Sequence, residues 1–205
     1  MYTVPHYTET NREAILAFMQ ANPFVLICGT GQDGYPVATQ VPVQLQVTPE
    51  GSIHLSGHIM RKTTHHRAWA DHPKVMVVFQ GPHTFISASW YEGIQSASTW
   101  NYLTVQAIGE IIFRDEAGTR EAVAALTAQY EGPDSRVAFE KLPEEYIQQN
   151  LKAIIGFDIR LQQYEAVFKL SQNRTEAHRR QIITELRKRN NGFDAAIADE
   201  IEKRI

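Results

Sequence analysis

The sequence has few of the features that mark secreted, membrane-spanning or strongly basic proteins. Its 205 residues include one cysteine, Cys28, so no disulfide can form within the chain. No apolar run approaches the ~18 residues that a membrane-spanning helix needs, and the N-terminus lacks the charged and apolar segments of a secretion signal. The 20 Lys and Arg residues are outnumbered by 23 Asp and Glu, for a formal charge of -3. We therefore expect a cytoplasmic protein without a membrane anchor and without a general basic surface for nucleic acid.

The composition that remains is that of an ordinary globular protein, with 43% hydrophobic and 21% charged residues. An alternation of period two dominates residues 24–113. One set of alternating positions is apolar or β-branched: Val37, Thr39, Val41, Val43, Leu45 and Val47. Further strand-like runs cover 52–56, 75–80, 84–89 and 103–113, with turn signals at 49–51, 81–82 and 92–93. Because an open sheet of this kind would leave edges and an apolar face exposed, the pattern favours a β-barrel.

Helical spacing surrounds this β-rich region. The pair Thr10 and Glu13 has the spacing of a capping box and predicts a short opening helix. Residues 117–152 return to helical spacing, residues 153–170 to strands with a bulge or turn near Gln162–Gln163, and the last 30 residues to helices, with Gly192 and Asp194 as predicted end and cap. We predict a fold that is mainly β with helices, divided into a barrel domain (1–173) and a helical extension (174–205).

The segment Gly29–Gly34 reads Gly-Thr-Gly-Gln-Asp-Gly, which matches the glycine pattern of dinucleotide-binding proteins. That fingerprint requires a helix to begin at the glycines, so that helix amides meet the pyrophosphate. An alternating strand begins instead at Pro36. We therefore interpret Asp33–Gly34 as a hairpin turn.

Histidine is concentrated in one part of the chain. Six of the eight lie between positions 54 and 83: His54, His58, His65, His66, His72 and His83. Dense histidine suggests a metal or haem site, but no acidic or cysteine partner stands at ligand spacing. We predict no metal site and interpret these side chains as solvated or hydrogen-bonded.

The segment from Ser56 to Thr64 carries the clearest chemistry. Arg61 and Lys62 are followed by two hydroxyls, Thr63 and Thr64, directly after a strand. Charge-assisted donors of this kind suit a phosphate monoester. Aromatic and amide groups recur at 87–91, 99–102 and 169–174, and could hold a planar heterocycle.

These segments, taken in order, resemble the PaiB-type FMN-binding negative transcriptional regulators. The similarity runs from the N-terminus almost to the end of the chain, through six segments: 1–7, 57–61, 79–82, 86–91, 99–102 and 169–174. The resemblance implies a split β-barrel homodimer that binds flavin mononucleotide (FMN) at the subunit interface.

The resemblance also implies roles for individual residues. Arg61 would hold the FMN phosphate, assisted by Lys62 and Thr63. Trp100 and Asn101 would lie near the flavin ring or the dimer interface, and Gln172 and Asn173 would close the site from the other subunit. The full expected cofactor-binding set is Ser56, His58, Arg61, Lys62, Thr63, Trp100, Asn101, Gln172 and Asn173.

Several functions stay open at this point. The first hypothesis is an FMN-binding regulatory protein, because no catalytic constellation emerges from the sequence. A flavin-dependent oxidoreductase is the alternative, and a haem-handling protein of the same barrel type is a third. The tail segment Arg174–Arg189 sums to +4 and could contact DNA. The other interpretation of this segment is an amphipathic helix that packs through Ile182, Ile183 and Leu186.

Overall fold

The computed structural model describes residues 4–91 and 97–205. The strands are β1 (Thr8–Glu9), β2 (Phe24–Thr30), β3 (Pro36–Pro42), β4 (Gln44–Val47), β5 (Ile53–Met60), β6 (Lys74–Ile86), β7 (Thr99–Phe113) and β8 (Ile154–Lys169). The helices are α1 (Arg12–Ala21), α2 (Thr64–Asp71), α3 (Glu116–Glu131), α4 (Glu144–Leu151), α5 (Glu176–Arg189) and α6 (Asp194–Glu202), with short 3₁₀ turns at Pro5–Tyr7, Ala88–Trp90 and Phe139–Lys141. Among the described residues, no helix is long and apolar enough to cross a membrane.

The strands form one sheet whose order is β3-β2-β6-β7-β8-β5-β4, and β1 pairs with β8. The two end strands of this order, β3 and β4, are separated in sequence by Val43 alone. Because one residue cannot span an open sheet, the two edges must lie side by side, and the sheet therefore closes on itself. The carbonyl of Pro42, at the end of β3, lies 3.0 Å from the place that a Cβ would take on Gly57 of β5, which agrees with this closure.

The hairpin predicted at Asp33–Gly34 is confirmed. Strands β2 and β3 pair from Phe24↔Pro42 to Thr30↔Pro36. The Gly31 N–H donates to the Tyr35 carbonyl at 2.8 Å, and Gly34 has a φ of 83°. The dinucleotide interpretation therefore fails, because a strand and not a helix follows these glycines.

The turn expected at Gly81–Pro82 is absent, since the run at 75–80 and the first residues of the run at 84–89 belong to one strand, which ends at Ile86 and is followed by the 3₁₀ turn at Ala88–Trp90. A Cβ on Gly81 would lie 2.5 Å from the Phe18 ring. This glycine therefore allows a close approach of the strand to α1, and does not turn the chain.

A turn at Gln162–Gln163 is also absent, because β8 continues through these residues. Gln162 and Gln163 are exposed in succession, which shifts the phase of the alternation, and the predicted bulge stays a prediction. The first half of β8 pairs with β5 from Ile154 to Arg160, whereas Ala166 and Val167 pair with β1. The partner of β8 therefore changes from β5 to β1 along the strand.

The chain divides into two compact units that do not follow sequence order. Unit 1 contains residues Met1–Phe18, Gln80–Gln106 and Glu165–Ile205, and unit 2 contains Met19–Phe79 and Ala107–Tyr164. Unit 2 buries Trp69, Phe157 and Ile159, and unit 1 buries Leu170, Ile182 and Leu186. The apolar face predicted for the tail helix, including Ile183, is confirmed.

Two helix ends differ from their predicted caps. Asn11, and not the predicted pair, accepts from the Ala14 N–H at 3.1 Å to cap α1. Asn190, with a φ of 45°, ends α5 before Gly192 is reached. Asparagine adopts this left-handed conformation more readily than other side chains, which explains why glycine was not required at this position.

Asp194, the predicted cap, is instead the first residue of α6 and the centre of a buried polar cluster in unit 1. Its carboxylate accepts hydrogen bonds from Arg189 Nε at 2.7 Å, from Arg189 Nη2 at 2.5 Å and from Thr84 Oγ1 at 2.5 Å. The N–H of Asn191 adds a fourth bond at 3.0 Å. The Arg189 guanidinium also lies 4.9 Å from the centre of the Trp90 ring, so one cation joins the helix to two segments of the unit.

Candidate functional site

The nine predicted cofactor residues divide between the two units. Five lie in unit 2, on β5 and in the turn that follows it: Ser56, His58, Arg61, Lys62 and Thr63. Four lie in unit 1: Trp100, Asn101, Gln172 and Asn173.

In unit 2, Thr63 ends the turn and begins α2. Its hydroxyl accepts from the His66 N–H at 3.4 Å and donates to the Met60 carbonyl at 3.0 Å. The His65 Nε2 lies 3.0 Å from the same oxygen. Thr63 is therefore an N-cap that positions the helix start, where backbone N–H groups and the helix dipole favour an anion.

Lys62 adopts a left-handed conformation, with a φ of 62°, which is unusual for a residue other than glycine. Two contacts hold it there. Its N–H donates to His66 Nδ1 at 3.0 Å, and its carbonyl accepts from Arg67 Nη2 at 2.6 Å. Local strain of this kind persists only where surrounding contacts enforce it and is often found at functional sites.

Arg61 is held by one edge of its guanidinium. Its Nε donates to the Ile154 carbonyl at 2.6 Å, and its own N–H donates to the Ala153 carbonyl at 2.8 Å. Across residues 4–91 and 97–205, the two terminal nitrogens of this group form no hydrogen bond. A side chain that is anchored at Nε and free at its outer nitrogens is suited to grip an anion.

The histidines near this turn are biased toward their neutral forms. Burial lowers the pKa of His58, and burial together with the positive charges of Arg61 and Arg67 lowers the pKa of His66. His58 and Ser56 are half-buried on the same face of β5. Nδ1 of His58 is buried and has no hydrogen-bond partner in the described part of the chain, so it could serve a ligand. Within that part, no group of three or more His, Cys, Asp or Glu side chains is arranged to hold a metal ion.

In unit 1, Asn101 is fully buried in β7 and pairs with Ser171. Its Nδ2 donates to Ser171 Oγ at 2.9 Å, and the hydroxyl returns a bond of 3.3 Å to Oδ1. Ser171 is left-handed, with a φ of 62°. Sequence analysis did not select this serine, although it lies in the segment 169–174 that carries the resemblance.

Gln172 and Asn173 differ in what their side chains contact. The Gln172 carboxamide accepts from the Leu170 N–H at 2.7 Å and donates to the Phe168 carbonyl, so it closes its own turn. Asn173 is exposed and lines a cavity of about 210 Å3. The walls of this cavity consist of Tyr7, Tyr91, Ala97, Ser98, Thr99, Asn101, Lys169, Ser171, Asn173 and Arg174.

Trp100 is adjacent to Asn101 but belongs to the opposite face of β7, with 53% of its surface exposed. Its ring centre lies 6.1 Å from that of His83 and 6.2 Å from that of Phe85. Phe193, which is half-exposed, lies 5.1 Å from His83. We call these four residues the aromatic patch.

The basic tail helix is largely neutralised by its own neighbours. Four cations in α5 pair with acidic side chains: Arg180 with Glu176, Arg187 with Asp199 and Glu202, Lys188 with Glu185, and Arg189 with Asp194. Residues 174–205 as a whole carry eight Lys or Arg and six Asp or Glu. These pairs leave less charge for phosphate contacts than the +4 of residues 174–189 indicates, and DNA contact stays a prediction.

Comparison with known proteins decides the family. Residues 1–163 match the family described as "Putative FMN-binding domain". The chain is also 31% identical to the "Protease synthase and sporulation protein PAI 2" of Bacillus subtilis, over all of this chain and 98% of that protein. This chain belongs to the PaiB-type FMN-binding domain family. An uncharacterized protein of Aspergillus fumigatus is 25% identical to this PaiB-type chain, over all of it and 97% of the relative.

Solved structures confirm the predicted fold of this PaiB-type protein. The flavocytochrome Anf3 from Azotobacter vinelandii matches with a TM-score of 0.61 at 13% identity, over 82% of this chain and 72% of that one. The FAD and heme binding protein from Mycobacterium smegmatis matches with a TM-score of 0.59 at 17% identity, over 80% and 73%. The fold is mixed α and β, with the antiparallel sheet of the FMN-binding split barrels.

Proposed function

We propose that this protein is a cytoplasmic, homodimeric flavoprotein that binds FMN and serves a regulatory role. Membership of an FMN-binding domain family supports the choice of cofactor. The regulatory role is supported by the resemblance to the PaiB-type negative regulators and by the 31% identity to the sporulation protein PAI 2. FMN, when bound, would supply hydride or electron chemistry, and the residues of this chain would bind and orient it.

The turn at Arg61–Thr63 is the observation that carries the proposal. It combines a guanidinium with two terminal nitrogens available, a strained lysine and the capped start of α2. A phosphate monoester needs charge-assisted donors on several oxygens, and these three features supply them together. The unpartnered Nδ1 of His58, on the strand that leads into the turn, fits a further polar contact to the same ligand.

Replacing Arg61 by alanine tests the assignment of the phosphate. Loss of a charged donor should cost about 1.5 to 3 kcal/mol, which weakens FMN binding roughly tenfold to more than a hundredfold. Riboflavin, which lacks the phosphate, should bind the variant as it binds the original protein. Fluorescence titration with both ligands measures the difference.

Arg160→Ala is the matched control, because Arg160 is exposed on β8 in the same unit and forms no side-chain hydrogen bond or ion pair among the described residues. Its FMN affinity should not change. Equal losses for FMN and riboflavin in Arg61→Ala, or an equal FMN loss in the control, would show that the phosphate lies elsewhere.

The aromatic patch supports the homodimer. Exposed Trp and Phe side chains grouped in this way are typical of the buried centres of protein interfaces. Trp100→Ala should weaken dimerisation by at least about tenfold, since tryptophan is a frequent hot spot. Sedimentation velocity over a range of concentrations checks this, with Tyr35→Ala, an exposed aromatic in the β2–β3 hairpin, as control. Unchanged dimerisation in Trp100→Ala would remove the patch from the interface.

The oxidoreductase alternative makes an opposite prediction. If the protein is a regulator, anaerobic mixing of its FMN complex with NADH or NADPH should leave the flavin absorbance unchanged. Bleaching of the flavin band at a catalytic rate would instead identify an enzyme.

A shift of the Soret band on titration with hemin, lost in His58→Ala, would favour the haem-handling alternative.

A further inference from the structure

The cavity in unit 1 is small, cationic and rich in hydrogen-bond donors. Its volume of about 210 Å3 lies below the ~300 Å3 at which pockets for drug-sized ligands begin. Lys169 and Arg174 lie in its wall, and none of the described lining residues is acidic. The contents suited to such a cavity are small and negatively charged.

Aromatic rings position both cations. Lys169 Nζ lies 5.5 Å from the centre of the Tyr7 ring, and the Arg174 guanidinium lies 4.9 Å from the centre of the Tyr91 ring. The contact with Tyr91 orients the Arg174 guanidinium without neutralising it, as a carboxylate would. In the described part of the chain Arg174 forms no ion pair, so its charge is available to a ligand.

Two hydroxyls and one carboxamide supply further donors to the cavity. Ser98 Oγ accepts from the Ala88 N–H at 3.1 Å, and Thr99 Oγ1 accepts from Lys169 Nζ at 2.6 Å. Each hydroxyl can still donate its own proton. The Asn173 carboxamide is exposed and forms no hydrogen bond with the residues that the structure describes.

A rigid base supports these groups. The Asn101–Ser171 pair lies at the cavity wall, and the left-handed backbone of Ser171 is held by that pair. Strain maintained by a buried hydrogen-bond pair is expected where side chains must be kept in place for a ligand. The turn from Ser171 to Arg174 is closed by a hydrogen bond from the Arg174 N–H to the Ser171 carbonyl at 2.9 Å.

We propose that this cavity is a binding site for a small oxyanion, of the size of inorganic phosphate, held by Arg174, Lys169 and the donors of Ser98, Thr99 and Asn173. The proposal goes beyond the FMN assignment, because it gives Asn173 a donor role toward an anion and makes the Asn101–Ser171 pair the support of that site. Two sources share this chemistry: a free oxyanion, and the phosphate head group of a larger ligand such as FMN. Titration with inorganic phosphate and with FMN distinguishes them.

Calorimetric titration of the full chain with inorganic phosphate is the direct test. Arg174→Gln removes the unpaired cation and should weaken phosphate binding roughly tenfold to a hundredfold. Asn173→Asp places a carboxylate at the cavity wall on an exposed side chain that folding does not need, and should weaken binding at least as much. Arg180→Gln is the matched control, since Arg180 lies on the exposed surface of α5 and pairs with Glu176. Its phosphate affinity should not change.

Absence of phosphate binding, unchanged affinity in Arg174→Gln and Asn173→Asp, or equal loss in Arg180→Gln would overturn the site. Unchanged FMN affinity in Arg174→Gln, together with weaker phosphate binding, supports a site for a free oxyanion. If Arg174→Gln weakens FMN but not riboflavin, while Arg61→Ala spares FMN, the oxyanion site stands and the phosphate assignment to Arg61 fails.

Discussion

Trp69→Ala should lower the free energy of unfolding by about 3 to 5 kcal/mol, because it removes the largest of the fully buried side chains and leaves a cavity. Trp69 lies on α2 and packs directly on β2. A Cβ placed on Gly29 would lie 2.5 Å from the indole nitrogen, so a residue larger than glycine would clash with this ring. Since α2 begins at the Arg61–Thr63 turn, loosening the helix should also weaken FMN binding. Urea unfolding followed by circular dichroism measures the first effect.

Trp69→Phe provides the matched comparison. It retains most of the ring volume, and the indole N–H that it removes has no hydrogen-bond partner among the described residues. We therefore expect a loss below about 1.5 kcal/mol. If alanine and phenylalanine cost the same, the stabilisation would not arise from packing volume.

Asp194→Ala should lower the free energy of unfolding by about 3 kcal/mol. The substitution leaves the partly buried Arg189 guanidinium without its partner and removes the acceptor of Thr84. Asp199→Ala is the control in the same helix, since Asp199 forms a comparable 3.0 Å contact with Arg187 on the exposed surface. Exposed ion pairs contribute about 0 to 1 kcal/mol, so the control should unfold near the original urea concentration. Equal effects in the two variants would contradict the importance of burial.

The same carboxylate predicts a dependence on pH. Burial alone would raise the pKa of Asp194, but hydrogen bonds from Arg189, Thr84 and the Asn191 N–H, with the charge of Arg189, lower it to about 2 from an ordinary value of 3.8. A carboxyl pKa that is lower in the folded state stabilises the fold above the unfolded value and loses that contribution as pH falls toward 2. We expect about 2 kcal/mol of acid-sensitive stability, absent from Asp194→Asn.

Features that depend on neighbouring residues could be predicted from the sequence. The hairpin at Asp33–Gly34 needs only local turn chemistry, and the buried face of α5 needs only helical spacing. Gly81 was misinterpreted because its partner, Phe18, lies far away in sequence. A glycine that admits a distant ring and a glycine that turns the chain look alike until the contact is known.

The candidate sites divide in the same way. Arg61, Lys62 and Thr63 are consecutive, so their shared chemistry is visible in the sequence. Asn101 and Ser171 are 70 positions apart, and their pairing requires the fold. Lys169 and Arg174 lie in a segment that the sequence analysis selected for its amide side chains. The sequence does not show which side chains of this strand end and turn line a cavity, because that depends on the residues packed around them.

The single-residue junction at Val43 determines where this protein can be re-engineered. Val43 is buried, and its N–H donates to the Pro23 carbonyl at 2.9 Å, so a reporter domain spliced in at that point would force apart the edges that close the sheet. The tip of the β2–β3 hairpin is the opposite case. A Cβ at Gly34 would meet no atom within 4 Å, so the tip is open, and with Gly34 itself kept for its φ of 83° this tip is a suitable place to insert a tag or open new termini by circular permutation.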